Sequence, residues 1–227
     1  MSSFEAVLFD LDGTLCRHEQ SPQTVYYGAF EAAGIEPFGD PEDLWAGLTR
    51  PPAPDPEGQI PYLAGGFEAV ADRHGRSVDA RALARGFSAV ADHSAVTFRE
   101  GAEAALEAAS EDGPVGLLTN GPEWRQSEKL RALGLEGAFD AVVFAGDMPH
   151  RKPHRDPFDR AVADLGAEPS ESLYVGDSLE YDVAGAKGAG LWAAWCPRDG
   201  AVDPGEYAPD YVLGSPADLV GVLDGSR

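Results

Sequence analysis

The stretch Ala6-Val7-Leu8-Phe9-Asp10-Leu11-Asp12-Gly13-Thr14 decides the fold. Its apolar run is short and has no polar face, as expected of a strand buried on both sides. It ends in two carboxylates two positions apart, which share one face while the extended geometry lasts. Like charges that close repel, and one pKa rises unless a cation intervenes. Gly13 permits a sharp exit turn, and the Thr14 hydroxyl can bind an anion or cap that turn. The pattern points to a nucleophile with a partner acid/base beside a divalent metal. A plain turn could carry the same letters. A calcium loop could not, because it needs Gly at its sixth position and Glu at its twelfth, where this chain has Leu15 and Ser21.

Three later segments repeat the design: Val115–Leu118 before Thr119, Ala141–Phe144 before Ala145-Gly146-Asp147, and Leu173–Val175 before Gly176-Asp177. Helical patterns over Ala102–Ala109, Trp124–Leu133, Pro157–Leu165 and Tyr181–Ala189 lie among them, with Gly134 and Gly166 as stops. Shorter strands are expected at Leu191–Trp195 and Tyr211–Leu213. Such alternation predicts an open α/β sheet, and in such sheets ligands collect at the carboxyl ends of the strands. Between Leu15 and Val96 the pattern changes. Thr24–Ala33, Pro41–Leu48, Ile60–His74 and Asp79–His93 read as helices, and the Pro-rich stretch Arg50–Pro61 reads as a loop. Tyr26, Tyr27, Phe30 and Trp45 are expected in the core of this helical insertion. The domains are therefore expected to be 1–14 with 97–227, and 15–96.

At 227 residues the chain is long enough for a substantial core. A net charge of −22 argues against nucleic-acid binding, which needs basic surface. Two cysteines, Cys16 and Cys196, make neither a disulfide framework nor a zinc cluster and fit a reducing cytoplasm, with Cys16 expected as a buried spectator thiol. No apolar run approaches the roughly 20 residues needed to span a bilayer. The N-terminus enters a strand without the features of a secretion signal, so no membrane association is expected.

FDLDGT (Asp10, Asp12), LLTNG (Thr119, Asn120, Gly121), RKPH (Lys152) and VGDSLEYD (Asp177, Ser178, Asp182) follow one another in this order. Together they resemble the haloacid dehalogenase superfamily of aspartate-nucleophile hydrolases over nearly the whole chain. The flanking GLLTNGPEWRQSEKLRALGL is similar to that family's helical-cap phosphatases. The resemblance implies a Rossmann-like three-layer core with a parallel sheet, an inserted α-helical cap, and Mg²⁺ at Asp10, the Asp12 backbone carbonyl and Asp177.

The chemistry of each residue type agrees. Asp10 can attack phosphorus and divide one hard step into two, while Asp12 can give a proton to the departing alkoxide and then take one from water. Thr119 and Asn120, with neighbouring backbone N–H groups and the Gly121 turn, can hydrogen-bond phosphoryl oxygens. Lys152 is one of three lysines in an arginine-preferring chain, and its compact ammonium suits a place between phosphoryl group and nucleophile. Hard oxygen ligands such as Asp177 suit magnesium. Asp182 could ligate directly, act through a water, hold Lys152, or simply cap a helix, and Ser178 is equally open. His150, Arg151 and His154 receive no role; Arg17 and His18 read as entrance residues or an exposed hinge.

The expected reaction is Mg²⁺-dependent hydrolysis of a small phosphomonoester (sugar phosphate, nucleotide or similar metabolite) through an aspartyl-phosphate. A sugar-phosphate mutase on the same site and a non-catalytic binding or regulatory protein on this fold are the alternatives. Asp12 disfavours dehalogenation, whose leaving halide needs no proton. The absence of any lysine between Leu15 and Val96 disfavours phosphonate cleavage through a cap Schiff base.

The acidic surface suggests a halophilic origin, in which salt screens self-repulsion. Stability measured by thermal denaturation is then expected to rise with potassium chloride; equal or greater stability at low salt would contradict it.

Overall fold

The computed structural model describes residues 4–49, 54–198 and 203–225. Strands β1 (Ala6–Phe9), β4 (Val115–Thr119), β5 (Ala141–Phe144), β6 (Ser172–Gly176), β7 (Trp192–Trp195) and β8 (Tyr211–Val212) form one six-stranded sheet in the order β5-β4-β1-β6-β7-β8. Every pairing in it is parallel. Short β2 (Cys16–His18) and β3 (Val96–Phe98), which flank the insertion, pair as a second sheet that periodicity did not predict. Three-residue strands are too short to show a period.

Parallel strands read as apolar on both faces because helices cover both. Val7 and Phe9 pack with Leu117, Leu173 and Val175 against α5 (Ala102–Asp112), Leu130 of α6 (Glu123–Ala132) and Leu219 of α9 (Leu219–Leu223). Leu8, Leu118 and Tyr174 face the other way, against Phe158, Ala161 and Val162 of α7 (Arg155–Leu165) and Ala186 and Ala189 of α8 (Ala184–Ala189). This is the expected three-layer α/β architecture. Register places Phe9 beside Leu117 and Val175, so the chain leaves β1, β4 and β6 at one common edge. Gly166, in the left-handed conformation, ends α7 as expected.

By contact the chain divides into two compact units. One holds residues to Arg17, Val96–Gly121 and Leu130 onward; the other holds His18–Ala95 together with Pro122–Lys129. The second is helical: α1 (Pro22–Ala33), α2 (Pro41–Gly47), α3 (Pro56–Arg73) and α4 (Ala80–Val90). Ser21, Asp40 and Asp55 each accept a first-turn N–H and are followed by proline, and Asp79 caps α4 in the same way. Proline is well placed there, since the first helical N–H groups have no intrahelical partner.

Two expectations about this unit are corrected. The Pro-rich stretch is not a loop to Pro61: α3 begins at Pro56, and Pro61 lies inside it, removing one backbone donor. Residues 50–53 of that stretch lie outside the described residues. Tyr26 and Phe30 are core, in contact with Phe67, but Tyr27 and Trp45 are exposed. Helical spacing put all four aromatics in the insertion without showing which side of each helix faces inward. Among the described residues no helix is long and apolar enough to cross a membrane.

Helices α1 and α4 approach closely at Gly86, where a Cβ would lie 2.5 Å from the Ala29 carbonyl oxygen. Gly86→Ala is therefore expected to cost about 1–3 kcal/mol by forcing the helices apart, read as a lower midpoint in urea denaturation.

Candidate active site

All the site residues expected from sequence lie in the sheet-containing unit. Asp10 follows β1 directly and its N–H bonds the Val175 carbonyl at 2.9 Å, which ties the end of β1 to β6. Lys152 extends a fully buried ammonium among four acceptors: Asp10 Oδ1, Asp182 Oδ1 and Tyr174 Oη, each at 2.7 Å, and the Leu118 carbonyl at 3.2 Å. The Tyr174 hydroxyl donates onward to the same carbonyl at 3.0 Å. Burial alone would lower the Lys152 pKa, but Asp10 and Asp182 reverse this and raise it. The lysine is a fixed cation.

Asn120 holds this lysine from behind. Its Oδ1 accepts the Lys152 N–H at 2.8 Å and its Nδ2 donates to the Lys152 carbonyl at 3.1 Å. The residue expected at phosphoryl oxygens thus has a positioning task as well. Thr119, buried at the end of β4, accepts the Gly121 N–H at 3.2 Å and shapes the turn after that strand.

Asp182 lies in a single π-helical turn, Leu179–Val183. Besides Lys152, it accepts the Ser178 N–H on Oδ2 at 2.9 Å, and its Oδ1 lies 3.2 Å from the Tyr174 hydroxyl as an alternative acceptor to the Leu118 carbonyl for that one proton. Both carboxylate oxygens are engaged, so of the roles left open, holding Lys152 is the one its contacts describe. Ser178 caps the turn, its Oγ accepting the Tyr181 N–H at 3.1 Å. A Cβ at Gly176 would lie 2.4 Å from the Asp182 side chain, so the approach of Asp182 requires glycine there.

Asp177 and the Asp12 carbonyl meet a residue that sequence reasoning missed. The Arg198 guanidinium pairs through Nε with Asp177 Oδ2 and donates from Nη2 to the Asp12 carbonyl at 3.2 Å. Arg99 was missed as well. It binds the carbonyls of Gly13, Cys196 (3.1 Å) and Pro197 (2.8 Å), joining the loop after β1 to the exit of β7. Cys16 is buried, as expected, and its thiol lies 4.0 Å from Asp12 Oδ1. The two arginines act across 21 to 186 residues of sequence, and no local signal marks them.

The donor set fits a hard divalent cation. Asp10, Asp177 and Asp182 offer carboxylate oxygens within 4.8 Å of one another. Burial pushes Asp10 up to about 7 even against the pull of Lys152, with repulsion from Asp182 and Asp177 adding to the rise. Burial likewise raises Asp177, partly offset by Arg198. The cluster is short of positive charge, and a guanidinium already bridges Asp177 and the Asp12 carbonyl. Asp10 and Asp182 both meet Lys152, but the second oxygen of Asp182 also accepts the Ser178 N–H, so Asp10, Asp177 and the Asp12 carbonyl are the groups that could hold a metal. Away from this centre, exposed His150 and His154 stack with centroids 4.1 Å apart beside Asp156, and Arg17 and His18 are exposed.

The sequence profile of haloacid dehalogenase-like hydrolases matches residues 4–190. The chain belongs to this family. N-acylneuraminate-9-phosphatase of Rattus norvegicus is 33% identical over 130 residues, 56% of this chain and 52% of that one. Phosphoserine phosphatase of Thermus thermophilus is 38% identical over 114 residues, 50% of this chain and 46% of that one. The chain thus spans about half the length of the curated relatives it matches. The crystal structure of a HAD phosphatase from Thermococcus onnurineus superposes with a TM-score of 0.68 at 27% identity, covering 98% of this chain and 99% of that one.

The raised Asp10 pKa has a signed consequence for this haloacid dehalogenase-like chain. An unfolded Asp titrates near 3.9, so between about 4 and 7 the folded chain binds the extra proton. The Asp10 contribution to stability therefore falls as pH rises through that window. In EDTA, urea denaturation is expected to show wild type losing stability relative to Asp10→Asn between pH 5 and pH 8, by on the order of 2 kcal/mol. A difference independent of pH would show that Asp10 stays ionised throughout.

Proposed function

We propose that this chain is a Mg²⁺-dependent phosphatase that hydrolyses a small phosphomonoester through an aspartyl-phosphate on Asp10. The observation that carries this reading is the buried Lys152 ammonium 2.7 Å from Asp10, with Asp177 and the Asp12 carbonyl beside it. The phosphatase names of its relatives support the reaction class.

In this reading the Asp10 carboxylate attacks phosphorus, forming one P–O bond as the bond to the alkoxide breaks. Asp12 protonates the departing alkoxide, then takes a proton from the water that cleaves the acyl-phosphate. Lys152 offsets charge on the nucleophile and on the phosphoryl oxygens. Thr119 and the backbone N–H groups of the adjoining turns donate to those oxygens. Bound magnesium would supply electrostatic neutralisation of the phosphoryl group, and Asp10, the Asp12 carbonyl and Asp177 would hold it. Asp182, Asn120 and Ser178 keep Lys152 and the turn after β6 in place. Segment 15–96 is read as the cap domain, the part left to choose among sugar phosphates, nucleotides or similar metabolites. Two buried cysteines that form no disulfide, Cys16 and Cys196, accord with a cytoplasmic setting.

Phosphate release from p-nitrophenyl phosphate and a panel of metabolite esters is expected to require Mg²⁺ and to vanish in Asp10→Asn. Asp12→Ala is expected to slow alkyl phosphates by about 100-fold or more and p-nitrophenyl phosphate, with its good leaving group, by less. Turnover by Asp10→Asn equal to wild type would overturn the mechanism, and equal losses with Asp12→Ala would remove its acid role.

A further inference from the structure

Arg198 stands in an unusual relation to the acidic centre. Its side chain is 62% exposed, whereas that of Asp177, its partner, is 8% exposed. The guanidinium therefore reaches inward from the surface to the same two oxygen groups, the Asp177 carboxylate and the Asp12 carbonyl, that the metal reading requires. Space for it is made by Gly13, where a Cβ would lie 2.3 Å from Arg198 Nε. Its base is also anchored. Arg99 binds the carbonyls of Cys196 and Pro197, immediately before Arg198, and that of Gly13 on the opposite side of the slot. Backbone and slot are thus fixed together, and the freedom left to Arg198 lies in its own exposed side chain.

The geometry points to Arg198 as a positioning residue that occupies the cation cradle of Asp177 and the Asp12 carbonyl and must withdraw when a divalent ion binds there. This rests on reading the centre as a metal site. A guanidinium and a magnesium ion bring like charge to the same oxygens, so they compete. While Arg198 is seated, the buried Asp177 carboxylate is paired rather than left as an isolated charge, which would be costly. The counterpart is a weaker apparent affinity for the ion, since a ligand binds only through the fraction of molecules whose site is open. The inward and withdrawn positions of one exposed side chain would set that fraction.

The test is a calorimetric titration of the whole chain with MgCl₂ at low ionic strength, with thermal denaturation in EDTA. Arg198→Gln removes the charge at an exposed position while keeping much of the length. It is expected to bind Mg²⁺ roughly 10-fold more tightly than wild type, the lower end of the scale of a charge-assisted hydrogen bond, as suits an exposed guanidinium, and to melt at a lower temperature in EDTA. Arg198→Lys, which keeps a cation but not the fork, is expected between the two. Equal or weaker binding by Arg198→Gln would overturn the inference and leave the metal centre standing. Weaker binding would mean that Arg198 orients Asp177 for the ion instead of competing with it. Absence of Mg²⁺ binding in both wild type and variant would overturn the metal reading and this inference together.

Discussion

An ammonium group buried at the end of a parallel sheet governs the rest of the site. Taking a lysine out of water is expensive, and the cost is offset only when its N–H groups and charge are both met. Here the acceptors come from separate places: Asp10 from the end of β1, Leu118 from β4, Tyr174 from β6, and Asp182 from the turn that follows β6. Each has to arrive for Lys152 to remain there. The lysine therefore acts as a keystone between strands as well as a charge beside Asp10. Asn120, which grips its backbone on both sides, shows that its main chain is held as firmly as its side chain.

Electrostatics around that keystone remain lopsided. Lys152 is shared by two carboxylates, Asp177 stands apart with Arg198, and Asp10 is pushed towards neutrality by burial. A site in which a would-be nucleophile is half protonated near pH 7 is poorly set up by the protein's own charges. A further cation at the centre would correct this by favouring the ionised form.

Much of this was legible in the sequence because it is local. A short apolar run followed by a polar cluster marks a buried strand and its functional end, and the runs ending at Phe9, Phe144 and Trp195 became strands with those ends. Asp10, Asp12, Thr119 and Asp177 were singled out because each lies at or near such an end, and Lys152 because it is one of three lysines and falls in order among those motifs. Tyr174 was not found, since an aromatic inside an apolar strand is indistinguishable from core until its hydroxyl is seen to reach the lysine. Arg99 and Arg198 were missed because their partners are distant in sequence and arginine is the common cation of this chain. Asp182 was seen with its role unsettled, since spacing cannot show that both its oxygens are occupied. Tyr27 and Trp45 show the complementary limit: helical spacing located them without showing that they face outward.

The strand order has a consequence for how the chain acquires its structure. β1 is made first, yet its neighbours β4 and β6 begin at Val115 and Ser172, and Arg198 follows later still. During synthesis β1 must wait for its first partner, β4, until Val115–Thr119 has been made, and for β6 until Ser172–Gly176. The helices between Pro22 and Val90 depend on nearby contacts, and their early collapse would draw the ends of that long excursion together, easing the loop-closure entropy of pairing β1 with β4. In this light the insertion would also assist folding, by shortening the effective separation of two strands that must meet before the acidic pair has a cation to face.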